Sequence, residues 1–132
     1  KPEAFAHEMK RLWRNTLLVT GLLVVAAYVL ARPVVQWLDQ PAYAAQLGLL
    51  PWALAAVALM AISMVPHYAL YARHRDRVII TSHLASVAVF ALAAWLLRPL
   101  LGQATIPAAV VVAMGFILVF KLLAYRSGTQ EA

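Results

Sequence analysis

Apolar residues dominate the chain in four long stretches, each bounded by charged or turn-forming positions. The first stretch, residues 15–31, carries no charge, and segment 34–38 is still mostly apolar after Arg32-Pro33. Asp, Glu, Lys and Arg are also absent from residues 40–72, 78–97 and 99–120. A helix needs about 20 residues to cross the hydrocarbon of a bilayer. The pattern therefore predicts four transmembrane helices, near 14–38, 47–72, 78–99 and 104–125.

Strands are the alternative, because Val and Ile recur in these stretches, for example at 78–80 and 110–112. A membrane β-barrel needs alternating polarity over about 10 residues in each strand, whereas these stretches are apolar on every side. An open sheet in lipid would leave the N–H and C=O groups of its edges unpaired. The predicted fold class is therefore all-α: a polytopic integral membrane protein whose four helices form two hairpins.

Composition supports this assignment. Hydrophobic residues make up 64% of the 132 residues and charged residues only 12%, against roughly 45–50% and about 25% in ordinary soluble domains. A small soluble domain could not bury that much apolar surface. The absence of cysteine excludes disulfides and thiolate zinc sites. A net charge of +6 is compatible with nucleic acid, but basic residues at the ends of apolar runs are also what membrane topology requires.

The distribution of Lys and Arg predicts the orientation. If the spans alternate, one side of the membrane carries nine basic residues, and the other carries only Arg32 and Arg98. The nine are Lys1, Lys10, Arg11, Arg14, Arg73, Arg75, Arg77, Lys121 and Arg126. Cytoplasmic loops carry the excess of Lys and Arg. Both termini and the loop at 73–77 are therefore predicted to be cytoplasmic.

The ends of the chain differ from the spans. Apolar side chains recur at helical spacing in the first residues, at Phe5, Met9, Leu12 and Trp13. We therefore expect residues 1–13 to form an amphipathic lead-in on the inner membrane surface, 14–126 the four-helix region and 127–132 a polar tail. A lead-in of this kind suits entry from a preceding cytoplasmic loop, and a plain amphipathic start is the alternative. Because the first residue is Lys1 rather than Met, we expect a processed chain or a segment of a longer one.

Two short patterns recur along the chain. Leu30-Ala31-Arg32-Pro33 matches Leu96-Leu97-Arg98-Pro99, and Leu70-Tyr71-Ala72-Arg73 resembles Ala124-Tyr125-Arg126. The matches fall at corresponding ends of the predicted spans, so the chain is interpreted as two hairpins in the same orientation. Repeats of this kind are frequent in transporters, and chance similarity of common residue types is the alternative.

Enzyme chemistry finds little support. Nucleotide-binding and metalloprotease motifs are missing, and no predicted span contains a carboxylate, since the five acids are Glu3, Glu8, Asp39, Asp76 and Glu131. Membrane enzymes and proton-driven pumps usually need an intramembrane acid. We therefore expect no catalytic residue, no cofactor and no metal, and a small drug/proton antiporter is disfavoured.

Five polar residues near or within the spans are candidates for substrate binding. For Lys121, the favoured interpretation is a side chain that snorkels to the inner headgroups. For Arg32 and Arg98, the favoured interpretation is that both anchor the ends of helices at the membrane surface. The alternative for all three is a cationic cavity wall that meets an anionic substrate, because guanidinium binds phosphate in a bidentate manner.

His67 and His83 complete the five. Both lie roughly 8–9 Å from the inner ends of their predicted spans at 1.5 Å per residue, so they can meet across the hairpin, with Ser63, Thr81, Ser82 and Ser86 nearby. Hydrogen bonding between the helices is the favoured role, with a place in the substrate cavity as the alternative. Two histidines without a third ligand argue against a metal.

The chain resembles a known family over nearly its whole length, by pattern rather than by an invariant motif. The resemblance rests mainly on residues 66–77, where Leu70-Tyr71-Ala72-Arg73 is followed by a basic loop, and on the apolar residues that continue up to Leu97-Arg98-Pro99-Leu100-Leu101-Gly102. This pattern is similar to that of bacterial polysaccharide and O-antigen flippases of the MATE-like exporter superfamily. Tyr43-Ala44-Ala45, Leu49-Leu50-Pro51 and the basic lead-in at 10–14 add to the resemblance. Gln103-Ala104-Thr105-Ile106-Pro107 departs from it, because Gly-Ala-Ala usually stands there. Since family members have about 12 or 14 helices, the chain would correspond to four consecutive helices of the C-terminal half.

The resemblance implies a multi-pass protein of the bacterial inner (plasma) membrane that works by alternating access. It also implies a cationic cavity for a pyrophosphate-linked lipid sugar, lined by candidates Arg32, Arg98 and Lys121. The expected partners are the bilayer, this anionic substrate, and either the remaining helices of a larger transporter or a second copy of the chain. Nucleic acid is not an expected partner. Two alternatives stay open: a complete four-helix carrier-lipid translocase of the GtrA type, and a membrane anchor or assembly subunit that transports nothing.

Overall fold

The computed structural model describes residues 2–127, with side chains from His7 onward. Every regular element in this part of the chain is helical. The helices are α1 (Pro2–Leu38), α2 (Pro41–Gln46), α3 (Leu50–Tyr71), α4 (Asp76–Leu101) and α5 (Thr105–Ser127), with single 3₁₀ turns at Leu47–Leu49 and Gly102–Ala104. The prediction of an all-α fold is confirmed.

Three continuous helical stretches are long and apolar enough to cross a membrane: His7–Leu38, Pro41–Tyr71 and Asp76–Ser127. The four-helix prediction divides the last of these in two. Within it, α4 and α5 are separated by the 3₁₀ turn that begins at Gly102, whose φ of 51° favours glycine. The two helices then pack along each other. The observed helices therefore fit a membrane protein.

The helix bounds differ from the predicted ones at both sides of the first span. The predicted lead-in and span 14–38 form one helix of 37 residues, α1, with Pro33 inside it. The short helix α2 lies in the connection that was expected to be a loop, where Pro41 stands in its first turn. Of the predicted polar tail, only Ser127 is described, as the last residue of α5, and 128–132 lie outside the described residues.

Small residues form the interior where α3, α4 and α5 pack together. The buried positions of α5 recur at every fourth residue, namely Thr105, Ala109, Ala113, Ile117 and Lys121, with Ala108 beside them. The other two helices contribute mainly Ala and Ser, such as Ala69, Ser82 and Ala93. Small side chains let helix backbones approach closely. Leu70 and Ile117 are buried with them, but most of the large apolar side chains are exposed, among them Leu22, Leu84, Trp95 and Leu100.

Helix α1 is peripheral to this group, because it packs mainly on α3. The loop between α3 and α4, in contrast, is tied to the last turns of α5. Arg75 Nη1 donates to the carbonyl oxygen of Ala124 at 2.7 Å, and the Arg73 guanidinium carbon lies 4.7 Å from the centre of the Tyr125 ring. These contacts hold the ends of α3, α4 and α5 together.

The two recurring sequence patterns occupy corresponding places in the helices. Arg32-Pro33 and Arg98-Pro99 lie near the C-terminal ends of α1 and α4, and a 3₁₀ turn precedes both α3 and α5. Tyr71 ends α3, and Tyr125 lies in the last turn of α5. Helices α3 and α5, the second members of the two pairs, pack directly on each other.

Candidate functional site

Lys121, His67 and His83 meet where α5, α3 and α4 converge, and we call these three residues the lysine–histidine cluster. Lys121 Nζ lies 3.2 Å from His67 Nδ1 and 3.3 Å from His83 Nε2. The Lys121 side chain is only 1% exposed. The expectation that Lys121 snorkels to the headgroups is therefore wrong, because two imidazole nitrogens hold its amino group between the helices.

The donor and acceptor roles follow from the chemistry of the groups. An ammonium group has only donors, so a charged Lys121 donates one N–H to each imidazole. His67 then accepts at Nδ1 and carries its own proton on Nε2, while His83 accepts at Nε2 and carries its proton on Nδ1. With Lys121 charged, both imidazoles are neutral and the cluster as a whole holds one positive charge.

No carboxylate of the neighbouring helices balances that charge. Asp76, at the start of α4, is the only acidic residue between positions 40 and 130. It lies seven residues before His83, or about 10 Å along the helix. A buried cation normally has a paired anion, so the lysine–histidine cluster is an unusual arrangement that retains the capacity to attract one.

The cluster is closed on one side and open on the other. Lys121 is buried, whereas His67 is half-buried and His83 is exposed. The neighbours of His83 on the surface of α4, Leu84 and Val87, are large and apolar. The imidazole edges therefore form a polar spot on an otherwise apolar face of the helix group.

The nearby hydroxyl groups do not join the cluster. Ser63 Oγ donates to the carbonyl oxygen of Met60, Ser82 Oγ to that of Ile79 and Ser86 Oγ to that of His83, each within its own helix. Thr81 does the same toward Arg77. The four hydroxyls expected near the histidines are satisfied locally, which leaves the amino and imidazole groups as the chemistry of the site.

Arg32 and Arg98 lie at the other end of the helices. Arg98 is 15 residues from His83 along α4, or about 22 Å. Arg32 lines a pocket of about 520 Å³ with Tyr28, Leu47 and Pro51, and Arg98 lines a different one of about 550 Å³ with Trp95 and Pro99. Both arginines are exposed. The structure brings together three of the five candidate residues and places the two arginines apart from them.

The sequence carried a signal for part of this arrangement. His67 stands four residues before Tyr71, and Lys121 four residues before Tyr125. The two side chains therefore occupy equivalent positions in the recurring pattern, on two helices that pack together.

For metal binding, the described residues contain no group of three or more His, Cys, Asp or Glu side chains able to hold an ion.

Comparisons with other proteins add no family assignment: no family model, no curated protein and no solved structure matches the chain.

Proposed function

We propose that this chain is a segment of a membrane transporter that moves a lipid-linked oligosaccharide or polysaccharide precursor across the bacterial inner membrane by alternating access. The observation that carries the proposal is the lysine–histidine cluster. Ionisable residues inside membrane helices are costly and mark substrate or ion pathways. Here the ionisable group is a buried cation with no carboxylate beside it, so the substrate chemistry that it favours is anionic, such as a pyrophosphate.

The open side of the cluster supports the same proposal. An exposed imidazole is poorly suited to lipid, because polar side chains in membrane helices face a water-filled cavity or neighbouring helices. His83 is exposed on the apolar face of α4. In the proposed transporter this face adjoins a cavity or the remaining helices, and the anionic group of the substrate approaches Lys121 past the histidines.

The proposed topology has four spans, in α1, α3, α4 and α5, with both termini in the cytoplasm. A single straight span of the 52 residues in Asp76–Ser127 would be about 78 Å long, more than twice the thickness of the hydrocarbon. A turn at Gly102 with α4 packed against α5 fits two spans. The nine basic residues on the inner side, as counted along the sequence, support the orientation.

Single-cysteine labelling tests this topology, because the chain contains no cysteine of its own. We expect Gln40→Cys and Gln103→Cys to react with a membrane-impermeant maleimide in intact cells, and Arg77→Cys to react only after the cells are opened. All three positions are exposed, and Arg77 is preferred to Arg75 because Arg75 bonds to Ala124. Labelling of Arg77→Cys from outside would contradict the orientation, and protection of Gln103→Cys would contradict the turn between α4 and α5.

Transport itself is tested with Lys121→Gln in the complete polypeptide that the gene encodes, reconstituted in vesicles with a fluorescent polyprenyl-diphosphate sugar. We expect the rate of flipping to fall at least tenfold, since loss of the charge removes about 1.4 kcal/mol or more of interaction with the anion. Arg77→Gln removes the same charge outside the membrane and should leave the rate within twofold. Full activity of Lys121→Gln, or of Lys121→Gln combined with Arg32→Gln and Arg98→Gln, would contradict a role of these cations in the transport path. Absence of flipping by the wild-type polypeptide would favour a membrane anchor.

The length of the open reading frame separates the two transport proposals. Several hundred codons upstream of Lys1, encoding further spans, would fit a segment of a large flippase. A start codon directly before Lys1 would contradict the flippase segment and favour a small carrier-lipid translocase of the GtrA type.

A further inference from the structure

A basic stripe lies on α1, at the opposite side of the helix from its contacts with the other helices. It consists of His7, Lys10, Arg11 and Arg14, which are all exposed and follow the spacing i, i+3, i+4 and i+7 of a single helix face. Together they line a groove of about 430 Å³. Neither the lysine–histidine cluster nor the proposed transport step uses these residues.

The half-buried positions of the same part of α1 lie elsewhere on the helix. They are Met9, Trp13, Thr16 and Thr20, which again follow a helical spacing. At 100° per residue, their centre lies about 140° around the helix from the centre of the basic stripe. Since α1 packs mainly on α3, these positions mark the side toward the bundle. The basic stripe therefore faces away from the bundle.

The length of α1 sets the depth of the stripe. The charge-free part of the helix begins at Asn15, immediately after Arg14. At a rise of 1.5 Å per residue, Lys10, Arg11 and Arg14 lie within about 8 Å of that boundary, and His7 about 12 Å from it. The headgroup region of a bilayer is about 5–8 Å thick on each side of the hydrocarbon. Because α1 is continuous through these positions, an α1 that crosses the membrane in the proposed orientation places the three permanently charged side chains at the level of the lipid phosphates.

From this placement we infer that the basic stripe is a binding site for the headgroup of an anionic phospholipid of the inner leaflet. Two guanidinium groups and one ammonium group on one face match the charge and the oxygen acceptors of a lipid phosphate. A role in topology alone needs only the number of basic residues on the inner side and not their alignment on one face. The inference rests on the proposed orientation and is independent of the transported substrate.

Lipid binding by the purified chain in a neutral detergent tests the inference. Phosphatidylglycerol is the probe and phosphatidylcholine the neutral reference, and native mass spectrometry measures how much of each lipid the chain retains. The wild-type chain should retain phosphatidylglycerol in clear preference to phosphatidylcholine. Because one basic residue near the membrane surface changes binding about fivefold, Lys10→Gln/Arg11→Gln should weaken phosphatidylglycerol binding about 25-fold. Arg77→Gln, which removes an exposed charge on the same side of the membrane but outside the stripe, should change it less than twofold.

A charge-conserving exchange separates alignment from total charge. Lys10→Leu/Leu12→Lys keeps the composition and the number of basic residues, but moves one cation about 160° around the helix. Leu12 is 39% exposed, so the exchange is compatible with folding, which circular dichroism checks. We expect phosphatidylglycerol to bind this variant about fivefold more weakly. Wild-type affinity in the exchanged variant, equal retention of the two lipids, or displacement by inorganic phosphate at an equal concentration would each overturn the lipid site.

Discussion

Replacing both His67 and His83 with leucine is expected to destabilise the protein by about 3 kcal/mol or more, because each hydrogen bond to a charged group contributes about 1.5–3 kcal/mol. The double substitution leaves Lys121, which is 1% exposed, without either of its two nitrogen partners. An unpaired charge in a low-dielectric interior is one of the most costly defects in a folded protein. Equilibrium unfolding in mixed micelles of a mild detergent and dodecyl sulfate measures the change.

Adding Lys121→Met to the double variant should recover most of the lost stability. Methionine has a similar length and no charge, and replacing a complete polar group by apolar side chains is often neutral or stabilising. Lys121→Met alone should cost less than the double histidine variant, since His67 and His83 keep access to the surface. If the triple variant is as unstable as the double one, the cost comes from lost packing of the imidazole rings, and the cluster does not stabilise the fold in the way described.

Replacing Ala109 with leucine should destabilise the protein by about 3 kcal/mol, at the upper end of the usual range for overpacking a buried position. Ala109 is 0% exposed and belongs to the row of buried residues along α5. Its methyl group lies where α5 packs against the neighbouring helices, so three more carbon atoms must push the helices apart. Loss of the close approach also moves Lys121, three turns further along α5, away from the histidines.

The matched control is Ala91→Leu. Ala91 is exposed on α4, so the same chemical change adds apolar surface on the outside of the helix group and should alter the free energy of unfolding by less than about 0.5 kcal/mol. Unfolding in mixed micelles compares the two variants directly. Equal effects at the two positions would contradict the assignment of Ala109 to a packed interface.

Much of the helical architecture follows from the sequence because the apolar runs are long and uninterrupted. The predicted spans 47–72, 78–99 and 104–125 overlap α3, α4 and α5, with bounds that differ by a few residues. The all-α class is therefore a direct consequence of hydropathy. The sequence did not reveal that α1 is continuous from Pro2 to Leu38, because an amphipathic segment and an apolar span have different patterns even when one helix contains both.

The candidate site was less accessible to the same reasoning. Position along the helices indicated that His67 and His83 lie at similar depth. The two residues are about equally far from the inner ends of their spans, and these two ends are joined by one short loop. The inward direction of Lys121 depends on how α5 is rotated against two other helices, and long uniformly apolar helices carry little periodic signal for rotation. The spacing of Ala109, Ala113, Ile117 and Lys121 becomes informative only once the buried side of α5 is known.

The position of the lysine–histidine cluster has a consequence for the biogenesis of the protein. In synthesis from the N-terminus, α3 and α4 leave the ribosome before α5, so His67 and His83 are in place when Lys121 reaches the translocon. Lys121 lies past the middle of α5, so its cost of insertion is below the value of about 2.5–3.5 kcal/mol for a lysine at the centre of a helix. The imidazoles that are already in place offset part of this cost. Lys121 thus reaches the membrane only after its two partners in α3 and α4, and the order of synthesis matches the order in which the charge can be accommodated.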